Sequence, residues 1–337
     1  MTTFIGRRLL QTLLIMLGLS VFFFVLLHVE PGGPCYSLQT VGATQAQLQR
    51  FQSCENHLGL NQPIIVQYFT WFGNIAHGDF GVSISQGIPV GNEILQRVPA
   101  TLLLTGSAYL VAELIALPLG IFAALRRYSF FDSIFTVFSY IGISMPTFWL
   151  SGLLILAFAV GLGWLPAGGI VGDTANIPTF NGPGYWSYFF THPWHAGTDL
   201  LSHLALPATV LAFIQIANDS RYMRASMLEV INQDYIRTAR AKGLSRRSVV
   251  FKHALRNALL PVITNIAITV PGLVAGAIIT ETIFGWPGMG RLFYESLTQL
   301  DYPVLQALLM ISALGVLLGN LLGDLTYAWV DPRIRYD

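Results

Sequence analysis

Charge is what this sequence has least of. Asp, Glu, Lys and Arg make up 10% of its 337 residues, against about 25% in an ordinary soluble domain. A globular surface of this size needs more charge than that, so a purely soluble fold is excluded. Formal charge sums to +1, which leaves no bulk electrostatic basis for binding nucleic acid. Cysteine is nearly absent: Cys35 and Cys54 are the two, not in a C-x-x-C pair, so neither a zinc nor a redox motif is indicated. Low-complexity tracts, a soluble-sized polar block and an internal repeat are all missing. No G-x-x-x-x-G-K-[ST] phosphate loop occurs, so the chain cannot bind and hydrolyse ATP by that route. Nucleophile–base pairs and paired catalytic carboxylates do not stand out, so no bond-making chemistry, catalytic residue or cofactor is assigned to it. His192 and His195, in H-P-W-H, read as interfacial side chains and not as metal ligands, and no metal site is expected.

Long apolar runs are what the sequence has instead, in a chain that is 53% hydrophobic. A membrane helix needs about 20 mostly apolar residues. Stretches at 9–29, 100–125, 133–165, 200–218, 258–280 and 304–323 qualify or come close, predicting a single all-α transmembrane domain over 1–337 with about six spans. The fourth is the shortest. The first has the basic start of a signal peptide, Arg7 and Arg8, but its apolar run is too long and no A-x-A-like site follows, so it reads as a retained helix.

Lysine and arginine set the orientation. With the N-terminus in the cytoplasm, fifteen of the eighteen basic residues fall inside and only Arg50, Arg97 and Arg291 fall outside. Both termini are therefore expected in the cytoplasm, with outer loops at 30–99, 166–199 and 281–303 and an inner loop at 219–257. Within the first outer loop a short helix is expected near 45–58, and the apolar stretch 63–75 is too short to span and suits the membrane surface through Tyr68, Trp71 and Phe72. Cys35 and Cys54 share this loop and an oxidising side, where a disulfide between them is one of two open outcomes.

The inner loop carries nine basic residues from Arg221 to Arg256. Helical spacing of Leu228, Ile231, Tyr235 and Ala239 predicts a helix over 226–241. Gly243 ends it, Ser245 is an N-cap candidate, and a second helix follows over 246–259 until Pro261 opens the fifth span. A basic amphipathic hairpin on anionic lipid and a docking element for a cytoplasmic partner both fit these residues.

Glu113 lies inside the second span, where a carboxylate is costly and often functional. Facing a pathway, pairing with a polar group or sitting protonated are all open to it. Asp219 and Asp324 end spans four and six and read as interfacial anchors pairing with Arg221 or another basic residue. Met145-Pro146 should kink the third span. Glu281 and Glu295 flank the W-P-G-M-G turn, where Glu281, Trp286 and Arg291 are candidates for a gate or a docking point.

The inner-loop runs D-Y-I-R-T-A-R-A-K-G-L-S at 234–245 and H-A-L-R-N-A-L-L-P-V-I at 253–263 resemble the cytoplasmic loop of ATP-binding-cassette importer permeases of the dipeptide and oligopeptide subfamily. L-G-L-N-Q-P-I-I-V-Q-Y at 58–68, G-D-F-G at 78–81, I-S-M-P-T-F-W at 143–149, S-M-L-E-V at 226–230, T-E-T-I-F-G-W-P-G-M-G-R at 280–291, D-Y-P-V-L-Q at 301–306 and D-P-R-I-R at 331–335 extend the likeness, in order, along nearly the whole chain. The resemblance implies the type I importer transmembrane fold in a bacterial or archaeal plasma (inner) membrane. It implies half of a translocation pathway for short peptides, completed by a second homologous permease subunit. Two cytoplasmic ATPases would bind ATP and Mg, and an extracytoplasmic binding protein would deliver the cargo. Related systems carry nickel chelates, glutathione or other small solutes. The ATPase contact would fall on Asp234, Tyr235, Thr238, Ala239, Ala241, Lys242, Gly243 and Leu244. Where the generic family form has Glu-Ala-Ala, this chain has Arg237-Thr238-Ala239, so no role can rest on an acid there. A gradient-driven carrier or a membrane scaffold are the rival readings; the absent repeat speaks against the carrier.

Overall fold

The computed structural model describes residues 2–29, 35, 45, 49, 51–52, 55–56, 59–172 and 177–330. The expected helix near 45–58 falls mostly outside them. Among the described residues the chain is helical without strands. Helix α1 is Thr2–His28, α2 Ile64–Ala76, α3 Val90–Leu125, α4 Phe130–Ser144 and α5 Thr147–Leu154, the last continuing as a π-helical stretch over Ile155–Gly161. Then come α6 Tyr185–Thr191, α7 Pro193–Ile231 and α8 Asp234–Ala241. A turn at Arg246–Ser248 and a π-helical stretch Val249–Ala254 lead into α9 Leu255–Thr269, which tightens to 3₁₀ over Val270–Ala275. Short α10 Ile278–Ile283 and α11 Met289–Gln299 precede α12 Tyr302–Val330.

Five helical stretches are long and apolar enough to cross a membrane, and α4 with α5 makes a sixth if that bent pair is one span. The pair is bent by 103°. Pro146 has no N–H to continue the ladder, and it disfavours helical backbone at Met145; Met145 is extended, with φ −82° and ψ 118°. The third span is therefore broken, which is more than the kink expected from Met145-Pro146.

Helices α3 and α7 form the centre. They cross where Gly120 meets α7, so closely that a Cβ there would strike the Ser220 carbonyl and Met223. α4 joins the same axis at Gly142, whose missing Cβ would lie 2.8 Å from that of Ala217. Where α4 begins, Ser129 caps its N-terminus by accepting from Asp132 N. Asp132 in turn accepts Arg224 Nε at 2.8 Å and Nη2 at 2.9 Å, a bidentate pair that pins α4 to α7. α9 packs on α7 and α12, and α1 on α12 and α2.

Three boundaries differ from expectation. α3 starts ten residues before position 100, because Pro89 precedes the first helical residue and fixes a helix-ready φ. α7 is the longest helix, 39 residues, not the shortest span: polar residues at both ends lower its average hydropathy without interrupting the backbone ladder. It therefore runs on through 219–231, which the sequence placed in the inner loop. Pro261 does not open a span either. It sits inside α9, and the helix is continuous back to Arg246.

α2 lies against α1 through aromatic rings. Tyr68 stacks edge-on to Phe24 with centroids 5.4 Å apart, and its hydroxyl is 2.8 Å from Ser20 Oγ. Ile65 and Phe69 on the opposite face are exposed, a surface suited to lipid.

Candidate functional site

Three constellations carry the residues that the sequence singled out. On the basic face stands α8, an eight-residue helix that packs one face against the ends of the spans. α7 ends at Asn232, and Gln233 is extended (φ −71°, ψ 151°), which turns the next helix onto a new face. That turn is why the face expected from Leu228, Ile231, Tyr235 and Ala239 does not form. Instead Ile236 and Ala239 point inward, into a buried cluster with Met223, Met227, Val249 and Ala254. Seven of the eight expected contact residues, namely Asp234, Tyr235, Thr238, Ala241, Lys242, Gly243 and Leu244, are exposed. Ala239 is the correction: it is 7% exposed and packs on its own chain, since residues three apart share a helix face.

α8 stops in a Schellman motif: Gly243 N donates to Arg240 O at 3.0 Å and Leu244 N to Ala239 O at 3.4 Å. Gly243 has φ +76°, a conformation that only glycine adopts without strain. Ser245 then caps the next turn by accepting from Ser248 N. Behind α8, Ser226 Oγ donates to Ala258 O at 2.7 Å, clamping α7 to α9. Beside it opens a cavity of about 440 Å³ with Arg240 and Arg246 on its wall.

At the other end, T-E-T-I-F-G-W-P-G-M-G-R folds into a buried knot. Glu281 has no exposed surface. Its carboxylate accepts from Thr101 Oγ1 at 3.1 Å, Ala277 N at 3.1 Å and Arg291 N at 3.0 Å. Thr101 accepts in turn from Met289 N at 2.7 Å. The backbone comes so near Glu281 at Gly288 that a Cβ there would collide with the carboxylate. Trp286, also fully buried, donates Nε1–H to Ala100 O at 2.8 Å. Arg291 donates to Gly285 O and to Glu295, each at 2.7 Å. Glu281 and Trp286 therefore have no surface to offer a cargo or a docking protein. They bind α3, α10 and α11 together, and any part in gating is a positioning one. Nearby, fully buried Asp301 receives Ser83 Oγ at 2.6 Å and Ser85 N at 2.9 Å, fixing the loop before α3 to the start of α12.

The third constellation lies between α3, α7 and α9. Glu113 faces the Asp219 carboxyl and the Tyr109 hydroxyl. Asp219 is buried and accepts Gln215 Nε2 at 2.6 Å and Asn265 Nδ2 at 3.3 Å. It is thus a partner of Glu113 and not an anchor for Arg221, whose guanidinium lies 4.7 Å from the Tyr140 ring centroid. The sequence put these two acids on separate tasks because nothing in it aligned α3 with α7. The signal available was that both are acids in apolar helices, with Asn265 and Thr269 as further polar residues in the facing one. Asp132, Arg224, Thr101 and Asp301 also went unremarked: pairs about 90 to 220 positions apart have no local spacing.

Cys35 is buried and disulfide-bonded; Cys54 lies outside the described residues, as does the side chain of Asp324. Among the described residues no three His, Cys, Asp or Glu side chains come together as metal ligands.

Comparison with known proteins places this geometry. Residues 116–336 match the family model for the binding-protein-dependent transport system inner membrane component, and residues 1–105 match that for the N-terminal part of such membrane components. The chain is 44% identical over 337 residues to the oligopeptide transport system permease protein AppB of Bacillus subtilis (strain 168), covering 100% of both. It is 40% identical over 339 residues to the dipeptide transport system permease protein DppB of Escherichia coli (strain K12), covering 100% of this chain and 99% of that one. Full-length likeness to permeases and five or six apolar crossings agree: the chain belongs to the family of binding-protein-dependent transport system inner membrane components, as a non-catalytic permease subunit with the type I importer fold.

Proposed function

We propose that this chain imports short peptides across a plasma (inner) membrane, as half of an alternating-access pathway. A second permease subunit completes the pathway, an extracytoplasmic binding protein supplies the peptide, and two cytoplasmic ATPases, binding ATP and Mg, drive the cycle. The basic face is the cytoplasmic one, with both termini there, in keeping with the excess of Lys and Arg.

The observation that carries the coupling part is α8. It is anchored from behind by Ile236 and Ala239, yet exposes Tyr235, Thr238, Lys242 and Leu244. An ATPase groove that closes on this helix would move α7 and the start of α9 with it, because all three share one buried cluster. Peptide as cargo is supported by the full-length likeness to peptide permeases.

The test is ATP hydrolysis stimulated by dipeptide-loaded binding protein, with dipeptide uptake, in the reconstituted transporter carrying Gly243→Pro. Proline cannot take φ +76°, so the motif ending α8 is lost while the spans are untouched. Loss of stimulation and uptake with normal membrane insertion is expected. Unchanged uptake would remove α8 as the coupling element.

A further inference from the structure

The cavity beside α8 carries charge that the fold leaves unused. It holds about 440 Å³, within the range of about 300–1,000 Å³ in which small-molecule sites fall. Its wall has two sides. Leu125 from the end of α3, Ile231 from the end of α7 and Val250 from the π-helical stretch before α9 supply an apolar one, and Arg240 and Arg246 supply a charged one. Among the described residues no acid lines it, and neither arginine makes an ion pair or a side-chain hydrogen bond. Asp234, the acid of α8, pairs instead with Arg237 at 3.5 Å. Two unpaired guanidiniums on one wall repel each other, and an anion between them removes that cost. Their planar forks match the paired oxygens of a phosphate.

Position points to the source of that phosphate. Leu125 is the last residue of α3, and Arg126 and Arg127 follow directly. Their guanidiniums lie 4.8 Å and 4.4 Å from the ring centroids of Phe122 and Tyr128, and both rings are exposed. Arginines resting on exposed rings where an apolar span ends belong to the headgroup layer of a bilayer. The cavity therefore sits at the depth of lipid phosphates, where basic pockets take anionic headgroups. A free anion would leave the apolar side wet. A phospholipid covers both sides, with its phosphodiester on the arginines and its glycerol and first methylenes on Leu125, Ile231 and Val250. A zwitterionic headgroup fits less well, because its cation would meet two arginines and no acid.

We propose that this cavity binds one anionic phospholipid of the surrounding leaflet, its phosphodiester held between Arg240 and Arg246. The two arginines stand on either side of the Gly243 turn, so the lipid ties that turn to the ends of α3 and α7. The site does not depend on which cargo the permease carries.

Photolabelling tests it. The complete transporter is placed in phosphatidylcholine nanodiscs containing a trace of phosphatidylglycerol with a diazirine near the ester end of one acyl chain, or of phosphatidylcholine with the same group. After illumination, peptide mapping is expected to find the phosphatidylglycerol on Leu125, Ile231 or Val250, about tenfold above the phosphatidylcholine, the factor that one charge-assisted hydrogen bond supplies. Arg240→Gln together with Arg246→Gln should bring the two lipids level. Arg247→Gln, which removes an exposed arginine that does not line the cavity, should change nothing. Equal labelling of the native chain by both lipids would overturn the site, and that comparison needs no variant to assemble. Equal loss on Arg247→Gln would overturn it by showing attraction to the basic face as a whole. Loss of label on adding inorganic phosphate at constant ionic strength would overturn the lipid and identify a free anion. Absence of label at these positions in a transporter that hydrolyses ATP would also overturn it, leaving the cavity to an acidic side chain of the ATPase.

Discussion

Single side chains decide how firmly the two ends of this molecule are tied. Asp132 is 7% exposed at its side chain and meets Arg224 in a fork of two short bonds. Removing one member strands the other. Arg224→Ala is expected to destabilise by about 3–5 kcal/mol, and adding Asp132→Ala should restore much of the loss, seen as partial recovery of the melting temperature in detergent. Glu281 allows a sharper comparison. Both its oxygens accept N–H donors, from Ala277 and Arg291, so Glu281→Gln must set an amide N–H₂ against one of them. A loss of about 1–3 kcal/mol follows, although the shape is conserved; an unchanged melting temperature would show that the knot rearranges freely. At this scale the sequence was informative about which residues were unusual and silent about their partners. Glu113, Glu281 and Trp286 stand out as an acid in a span and as members of a glycine-rich turn. Their contacts, to Asp219, Thr101 and Ala100, depend on how α3 lies on α7 and α10, and no spacing along the chain encodes that.

Helices are where sequence and structure agree most, and where they part for identifiable reasons. The apolar runs at 100–125 and 304–323 fall within observed helices, and 9–29 overruns α1 by one residue, since hydrophobic length is a property of the local chain; 258–280 takes in most of α9, its 3₁₀ end and the start of α10, across a break at Gly276 and Ala277. Breaks are read less well. Pro146 interrupts its span, whereas Pro99, Pro118, Pro207 and Pro261 all lie inside helices, where neighbouring helices and polar side chains can accommodate the lost donor. Close helix crossing is also invisible in composition. Because Gly120 lets α7 approach to contact, Gly120→Leu is expected to force α3 and α7 apart and abolish transport, with the chain still inserted; uptake and membrane yield measured together would check it. At the end of α8, Gly243→Ala should be milder than Gly243→Pro, costing about 1–2 kcal/mol for a left-handed alanine. Its effect should appear as weakened ATPase association more than as loss of the permease.

On the scale of the whole molecule, α7 passes every constellation. Its first half packs Leu204 beside Trp286 and Leu206 beside Phe284. Asp219 then meets Glu113, and Met223 and Met227 reach the cluster that seats α8. At about 1.5 Å per residue, its 39 residues span roughly 58 Å, nearly twice the ~30 Å hydrocarbon core. Such a helix has the reach of a lever. Pro207, buried within α7, removes one ladder bond and makes a natural fulcrum; from there to Ile231 is about 36 Å of arm. A swing of 5° about that point would carry the end next to α8 by roughly 3 Å over such an arm. Distances between spin labels at 200 and 231 should then change little between nucleotide states if α7 swings as one body, while distances from 231 to α12 change by several ångströms. An unchanged distance from 231 to α12 would remove the lever. The gearing runs both ways: a small displacement of α8 becomes a smaller, stiffer one at the knot, so the arm would trade travel for force.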